Sequence, residues 1–246
     1  MRAHLLLAVL LLAGCGVNAS ETGRTTTPAP LRPVDFPVDR HPRPIVLLGE
    51  PLAVERGFAS NEEKLSGRYE LVGPPPATPE PGALPLIGAA EAVAAMSRPS
   101  DRPPVKLVRA EFGTARFRTD RGALELPAWR FTTESGSSLA RQALAPSAVW
   151  PARPSMYTAT EDGLELEVTM LAAPQACPGH GPVTAEAVVA ESATSVAVGL
   201  RTAGELGGCP RTADLRTQPY RVTLSAPLGA RLLVDGQGGV VEVTKR

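Results

Sequence analysis

From residue 105 to the C-terminus the apolar residues of this chain recur at every second position, and that period limits the fold more than any other feature. Ala115, Phe117 and Thr119 fall on one side of an extended segment, and Thr114, Arg116 and Arg118 on the other. This is the pattern of a strand with one covered and one wet face. Asp120-Arg121-Gly122 supplies a turn into a second strand near Leu124 and Leu126. Leu164, Leu166, Val168 and Met170 alternate with Glu165, Glu167 and Thr169, and Val183 to Ala190 pairs with Ser195 to Leu200 around Ser192-Ala193-Thr194. Tyr220, Val222 and Leu224 add a strand. Leu232 to Val234 and Val240 to Val243 form a hairpin about the glycine-rich Asp235 to Gly239.

Helix is scarce by the same reading. Ala89, Val93 and Met96 share one face of a helix over Ala89 to Ser97, which Pro99 stops. Upstream, Ile45 to Leu48 is a short apolar strand before Gly49, and Asn61-Glu62-Glu63-Lys64 starts a helical turn with Asn61 as its cap. Pro74 to Pro76, Pro79, Pro81 and Pro85 make an irregular segment, because proline neither donates to a ladder nor continues a helix. The expected fold is α+β and β-dominated, with mainly antiparallel sheet and one clear short helix near 89–97.

The N-terminus specifies an address. Arg2 precedes Leu5 to Leu12, eight residues that are all Leu, Ala or Val, far short of the roughly 20 a membrane-spanning helix needs. Leu12-Ala13-Gly14-Cys15 closes that run with the small residues a lipoprotein signal peptidase requires before a cysteine. Residues 1–14 therefore read as a lipoprotein signal peptide, and Cys15 as the lipidation site. Its thiol takes a diacylglyceryl group, and its freed amine a further palmitate-type chain. Two or more acyl chains hold stably where one is marginal, so membrane lipid is the expected partner and the extracytoplasmic face of a cell membrane the expected location. Residues 15–33 are rich in Gly, Ser, Thr and Pro and read as a lipidated cysteine and flexible tether, spanning roughly 20–25 Å. Residues 34–246 form the extracytoplasmic domain. A candidate sub-boundary lies at 136–160, although Leu144, Val149, Trp150, Met156 and Tyr157 are apolar enough to pack.

Charge is balanced at 25 basic and 25 acidic residues, which leaves no nucleic-acid footprint. Beyond Cys15 only Cys177 and Cys209 remain, and an even pair in an exported chain is more simply a disulfide than two reactive thiols or a metal site. The C-terminal half is thus expected to be stapled. Zinc needs two further ligands, for which His180 is the only obvious candidate in that loop.

Catalytic motifs are missing: no G-x-S-x-G elbow, S-x-x-K, H-E-x-x-H, Walker loop or calcium loop occurs. Only His41 and His180 follow the signal, and most Asp and Glu occupy outward strand positions or turns. No cofactor and no metal are expected, and no catalytic residue is assigned. Two clusters offer ligand contacts. Pro127 interrupts an alternating run and in one reading turns Trp129 and Arg130 toward a cleft; in the plainer reading Trp129 and Phe131 are core and Pro127 marks an edge strand. Cys177-Pro178-Gly179-His180-Gly181-Pro182 presents one imidazole on a pinned loop, or is an ordinary surface turn.

Three segments carry a likeness: Thr119 to Phe131, Ala145 to Pro151, and Ala226 to Arg231 followed by Val234-Asp235. In them the chain resembles lipoproteins of unknown function from actinomycete-type bacteria. The resemblance implies a single-membrane envelope and no particular activity. The functional expectation is a non-catalytic binding or accessory module of the cell envelope, with an envelope component or extracellular ligand as partner. The alternatives are an envelope hydrolase using carboxylates or His180, and a structural subunit of a membrane-protein complex.

Overall fold

The computed structural model describes residues 30–80, 82–210 and 214–246; the signal peptide, Cys15 and most of the tether lie outside them. The described chain forms two seven-stranded sheets. The first contains β1 (Ile45–Leu48), β2 (Leu52–Arg56), β3 (Tyr69–Leu71), β4 (Val105–Thr119), β5 (Gly122–Thr133), β6 (Ser138–Gln142) and β7 (Val149–Ala152). Its order is β2-β6-β5-β4-β1-β7, with β3 also on β4. The second contains β8 (Pro154–Asp162), β9 (Glu165–Leu171), β10 (Thr184–Glu191), β11 (Ser195–Ala203), β12 (Thr217–Thr223), β13 (Leu232–Asp235) and β14 (Val240–Lys245), in the order β10-β11-β13-β14-β8-β9-β12. Antiparallel pairing predominates, as the alternation implies, but β1–β7, β3–β4, β11–β13 and β14–β8 are parallel. Both sheets are therefore mixed.

Two helices accompany the first sheet, α1 (Asn61–Ser66) and α2 (Ala89–Met96). The cap of α1 is Ser60 and not Asn61: the Ser60 hydroxyl accepts from the Glu63 amide at 3.2 Å. Ala89, Ala92, Val93 and Met96 of α2 are buried against Leu107, Trp129 and Phe131.

The β4–β5 hairpin is covered on opposite faces at its two ends. Near the turn, Ala115, Phe117, Leu126 and Ala128 pack against Leu47, Ala140 and Leu144. Further along, Trp129 and Phe131 point the other way, under α2. Ala128 and Trp129 are consecutive yet 0% and 1% exposed, because the covered face changes between them. Pro127 lies at this crossover on an inner strand, between β4 and β6, not on an edge. Its carbonyl accepts from Ala143 N at 2.8 Å. Carbonyl and amide of one strand residue point the same way, so the missing N–H of Pro127 faces the β6 side just past the end of β6, and the ladder to β4 loses nothing.

The second sheet curls until its end strands β10 and β12 approach each other, and inward residues from all seven strands meet in one core. One end of this seam is held by Glu191, whose carboxylate accepts from Ser225 N at 2.8 Å, Ser225 Oγ at 2.9 Å and Arg231 Nη1 at 2.8 Å. At the other end the β9–β10 and β11–β12 loops are joined by the Cys177–Cys209 disulfide.

The chain passes from the first sheet to the second at Arg153, between β7 and β8. One apolar cluster spans the two. Val46 and Leu48 of β1 and Trp150 and Ala152 of β7 pack on Ala197, Leu232, Val234 and Val240, with Leu31, Val34, Phe36 and Val38 of the incoming segment. A Cβ on Gly199 would fall 2.8 Å from Leu31 Cδ2, so glycine there makes the seat for Leu31. Strands β1 and β13 are apolar without alternation because each is buried on both faces: Leu47 and Leu233 serve the cores within the sheets, while Val46 and Leu232 serve the cluster between them.

Candidate functional site

The three side chains singled out by sequence do not converge. Trp129 is enclosed, its Nε1 donating to Ile87 O at 2.9 Å and its ring meeting Phe112 edge-on at 5.3 Å. Arg130, the next residue, points to the opposite face and is held by Glu55 through Nε at 2.9 and 3.1 Å. His180 lies in the second sheet's crossing loops. Its ring fills the space left by Gly207, where a Cβ would fall 2.7 Å from the imidazole, and its Nδ1 is 3.7 Å from Glu205 Oε2. It wedges between the two bridged loops. Among the described residues no group of three or more His, Cys, Asp or Glu is placed to hold a metal ion.

A concavity of about 180 Å³ lies on the second sheet, lined by Asp162, Glu165, Glu167, Arg221 and Arg246, and two others lie around α1. One groove of about 570 Å³ runs between α1, the Arg102-Pro103-Pro104 approach to β4 and the β5–β6 turn. Another of about 620 Å³ lies across Ser60, lined by Val54, Phe58 and Lys64. Glu63 lines the first, and both its oxygens are engaged. Oε1 accepts from Ser135 Oγ at 2.8 Å; Oε2 accepts from Ala59 N at 2.7 Å and Ser137 Oγ at 2.9 Å. Burial pushes its pKa upward, but the hydroxyls of Thr133, Ser135 and Ser137 and the Ala59 amide outweigh burial and hold the carboxyl below its ordinary 4.5. Glu63 is thus a fixed anion that locks α1 to the β5–β6 turn, unsuited to giving up a proton near neutrality. The groove's Lys106 is paired with Glu70 at 2.6 Å.

This lock gives a prediction. The folded-state pKa of Glu63 lies below the unfolded one, so its contribution is complete above about pH 4.5 and is lost as pH falls through the lowered value. Glu63→Gln should cost about 1 kcal/mol at pH 7, and the gap from the parent should be smaller at pH 3. Urea melts at the two pH values measure it, and a gap that widens in acid refutes the assignment.

A cluster of charged side chains lies where the sheets meet. Asp120, 3% exposed, receives Arg43 Nη2 at 2.5 Å, and Arg121 Nε stands 3.5 Å from the same oxygen. Arg43 also donates to Ala230 O at 2.9 Å and lies over the Phe36 ring, 4.7 Å from its centroid. Arg121 Nη2 donates to Gly229 O at 2.8 Å and Arg231 O at 2.7 Å. Burial lowers the Arg121 pKa, partly offset by Asp120. Every donor and acceptor named is satisfied within the body, so this cluster is a latch. One buried side-chain polar atom lacks a partner among the described residues, Arg141 Nε, which lies on β6 opposite Leu52 and Trp129 and lines neither groove.

Sequence reasoning missed both the Glu63 lock and the latch. For Glu63 a signal existed: Ser60-x-x-Glu63 has capping-box spacing. For Asp120 none did, because Asp-Arg-Gly reads as an ordinary turn. Comparison with protein-family profiles, curated proteins and solved structures finds no match to this chain.

Proposed function

We propose that the protein is a lipid-anchored, extracytoplasmic module that binds an envelope component without catalysing a reaction. The observation that carries this reading furthest is the Cys177–Cys209 disulfide. Such bonds persist in oxidising compartments, where a chain opening with Leu12-Ala13-Gly14-Cys15 is delivered. The non-catalytic part draws support from how the carboxylates are used. Glu63 is saturated by three donors, Glu55 is held by Arg130, and Glu167 lies within 3.4 Å of Arg221 and 3.7 Å of Arg246.

Cys15→Ser, expressed in the producing cell, should move the protein from an alkali-resistant membrane fraction to the soluble one. Retention of the variant through alkaline washing overturns the anchor. Hydrolysis of an envelope substrate by the purified protein, abolished by His180→Ala, overturns the non-catalytic half independently.

A further inference from the structure

Among the described residues, strands cover the outer edge of β4 only at its two ends. β3 pairs with Val105 to Leu107, and β1 with Thr119. Both lie on the side away from β5, because Leu107 and Thr119 are also opposite Thr133 and Gly122 of β5. Residues 108–118 between them have no strand on that edge, and among the described residues no backbone hydrogen bond outside the strand pairings reaches them. The stretch from Leu107 to Thr119 spans about 40 Å at strand rise.

Which groups are free follows from the ladder. Ala143 N donates to Pro127 O, and Thr133 N donates to Ser137 O; odd-numbered β5 residues here therefore turn their amides and carbonyls toward β6. Their partners on β4, namely Ala110 opposite Phe131, Phe112 opposite Trp129, Thr114 opposite Pro127 and Arg116 opposite Glu125, are non-hydrogen-bonded pairs. These four turn N–H and C=O outward. The same run places Phe112, 41% exposed, and Arg116 on one face, four residues apart. Arg116 makes no ion pair among the described residues, although Glu125 faces it.

We propose that this free edge of β4 is a strand-acceptor site, which takes up an extended segment of a partner protein bearing an acidic residue against Arg116 and an apolar one against Phe112. The proposal rests on the reading of the body as a binding module and gives that module its ligand class. Main-chain pairing supplies affinity and the two side-chain contacts supply selectivity, as in other strand additions. Arg109 is paired with Glu111 and Arg118 with Glu242, which leaves Arg116 as the cation of the open run that a partner's carboxylate can meet, hence the acidic partner. A second copy fits poorly. Its own 15-residue β4 would overrun the gap at both ends, into β1 and β3.

The probe is a fluorescein-labelled, threonine-rich nine-residue peptide with valine at its third position and glutamate at its seventh, titrated against the full-length protein in detergent at low salt. Saturable anisotropy is expected. Arg116→Gln, which removes charge only, should weaken binding severalfold. Arg116→Pro also removes the outward N–H while leaving the β4–β5 ladder whole, and should weaken it at least tenfold beyond Arg116→Gln. Circular dichroism checks that Arg116→Pro is folded; if it is not, a peptide N-methylated at alternate residues, expected to lose binding to the parent, carries the same test. Absence of saturable binding, equal affinity for Arg116→Gln and Arg116→Pro, or undiminished binding of the N-methylated peptide each overturns the proposal. Self-association abolished by Arg116→Pro would reassign the edge to a second copy and overturn it likewise. The anchoring reading stands or falls separately, on Cys15→Ser fractionation.

Discussion

Removing the disulfide, as the double variant Cys177→Ser, Cys209→Ser, is expected to lower stability by about 3.5–4 kcal/mol and the melting temperature by about 10 °C. The bridge closes a loop of 32-residue separation, and the chain-entropy relation puts loops of that length near this value; a domain of this size melts roughly 2–4 °C lower per kcal/mol lost. Against a total of about 5–15 kcal/mol, that is a large share. The bridged loops cross the end of the second sheet where β10 and β12 begin, tied there also by Cys177 N to Leu206 O at 2.8 Å, Cys209 N to Cys177 Sγ at 2.9 Å and the His180 ring against Gly207. At the far end of the seam Glu191 remains to hold Ser225 and Arg231. The variant should therefore open from the disulfide end. Calorimetry reads the shift, and limited proteolysis should cut first within 172–183 or 204–216. A melting temperature within a degree of the parent would show that the bridge is ornamental.

The hairpin β4–β5 was legible because one feature dominates it locally. Each strand has a covered side, side chains alternate across it, and Asp120-Arg121-Gly122 needs the positive φ of 87° that Gly122 adopts. The strands of the second core, with Leu166, Val168, Met170, Tyr220 and Val222 inward, were legible for the same reason. What escaped was set by distant partners. β6 reads Ser-Leu-Ala-Arg-Gln and is stranded because β2 and β5 flank it. β7 carries Pro151 and survives as an edge beside β1. β8 buries little but Ala159. None has a local period to betray it, and parallel pairing leaves no mark on either strand alone.

The candidate site was less legible still, for a related reason. A lone carboxylate looks the same in sequence whether solvent or three hydroxyls surround it, and what sets Glu63 apart from Glu62 includes Ser135 and Ser137, more than 70 positions away. Trp129 and Arg130 are neighbours in the chain but face opposite ways, so a cluster in sequence became two separate environments. The open edge of β4 cannot be read at all without knowing that β3 and β1 stop short of each other on it.

Asp120→Ala is expected to be the most damaging single substitution outside the apolar cores, costing about 3–5 kcal/mol, since removing one partner strands the charge of the others. Asp120 sits in the β4–β5 turn with its amide on Val46 O at 3.2 Å and its carbonyl receiving Val243 N at 2.9 Å, so its backbone already joins β1 to β14. Its carboxylate, 4% exposed, is the counter-charge of both Arg43 and Arg121. Alanine keeps the backbone ties and leaves two guanidinium groups, 23% and 25% exposed, without the carboxylate between them, so that Arg121 retains only the more remote Glu161. Screening by salt reaches a shielded cluster poorly, so the loss should persist at 1 M sodium chloride. The exposed pair Arg109–Glu111, at 66% and 53%, makes the contrast: Glu111→Ala should cost under about 0.5 kcal/mol. Adding Arg43→Met to Asp120→Ala should restore part of the loss, because one unpaired charge goes with its partner. If the latch couples the sheets, hydrogen exchange at the Val243 amide should quicken in Asp120→Ala more than at the Val168 amide inside the second core. Equal acceleration at both would mean that the substitution weakens the whole body and that the two sheets are held together by the apolar cluster of Phe36, Val46 and Leu232 alone.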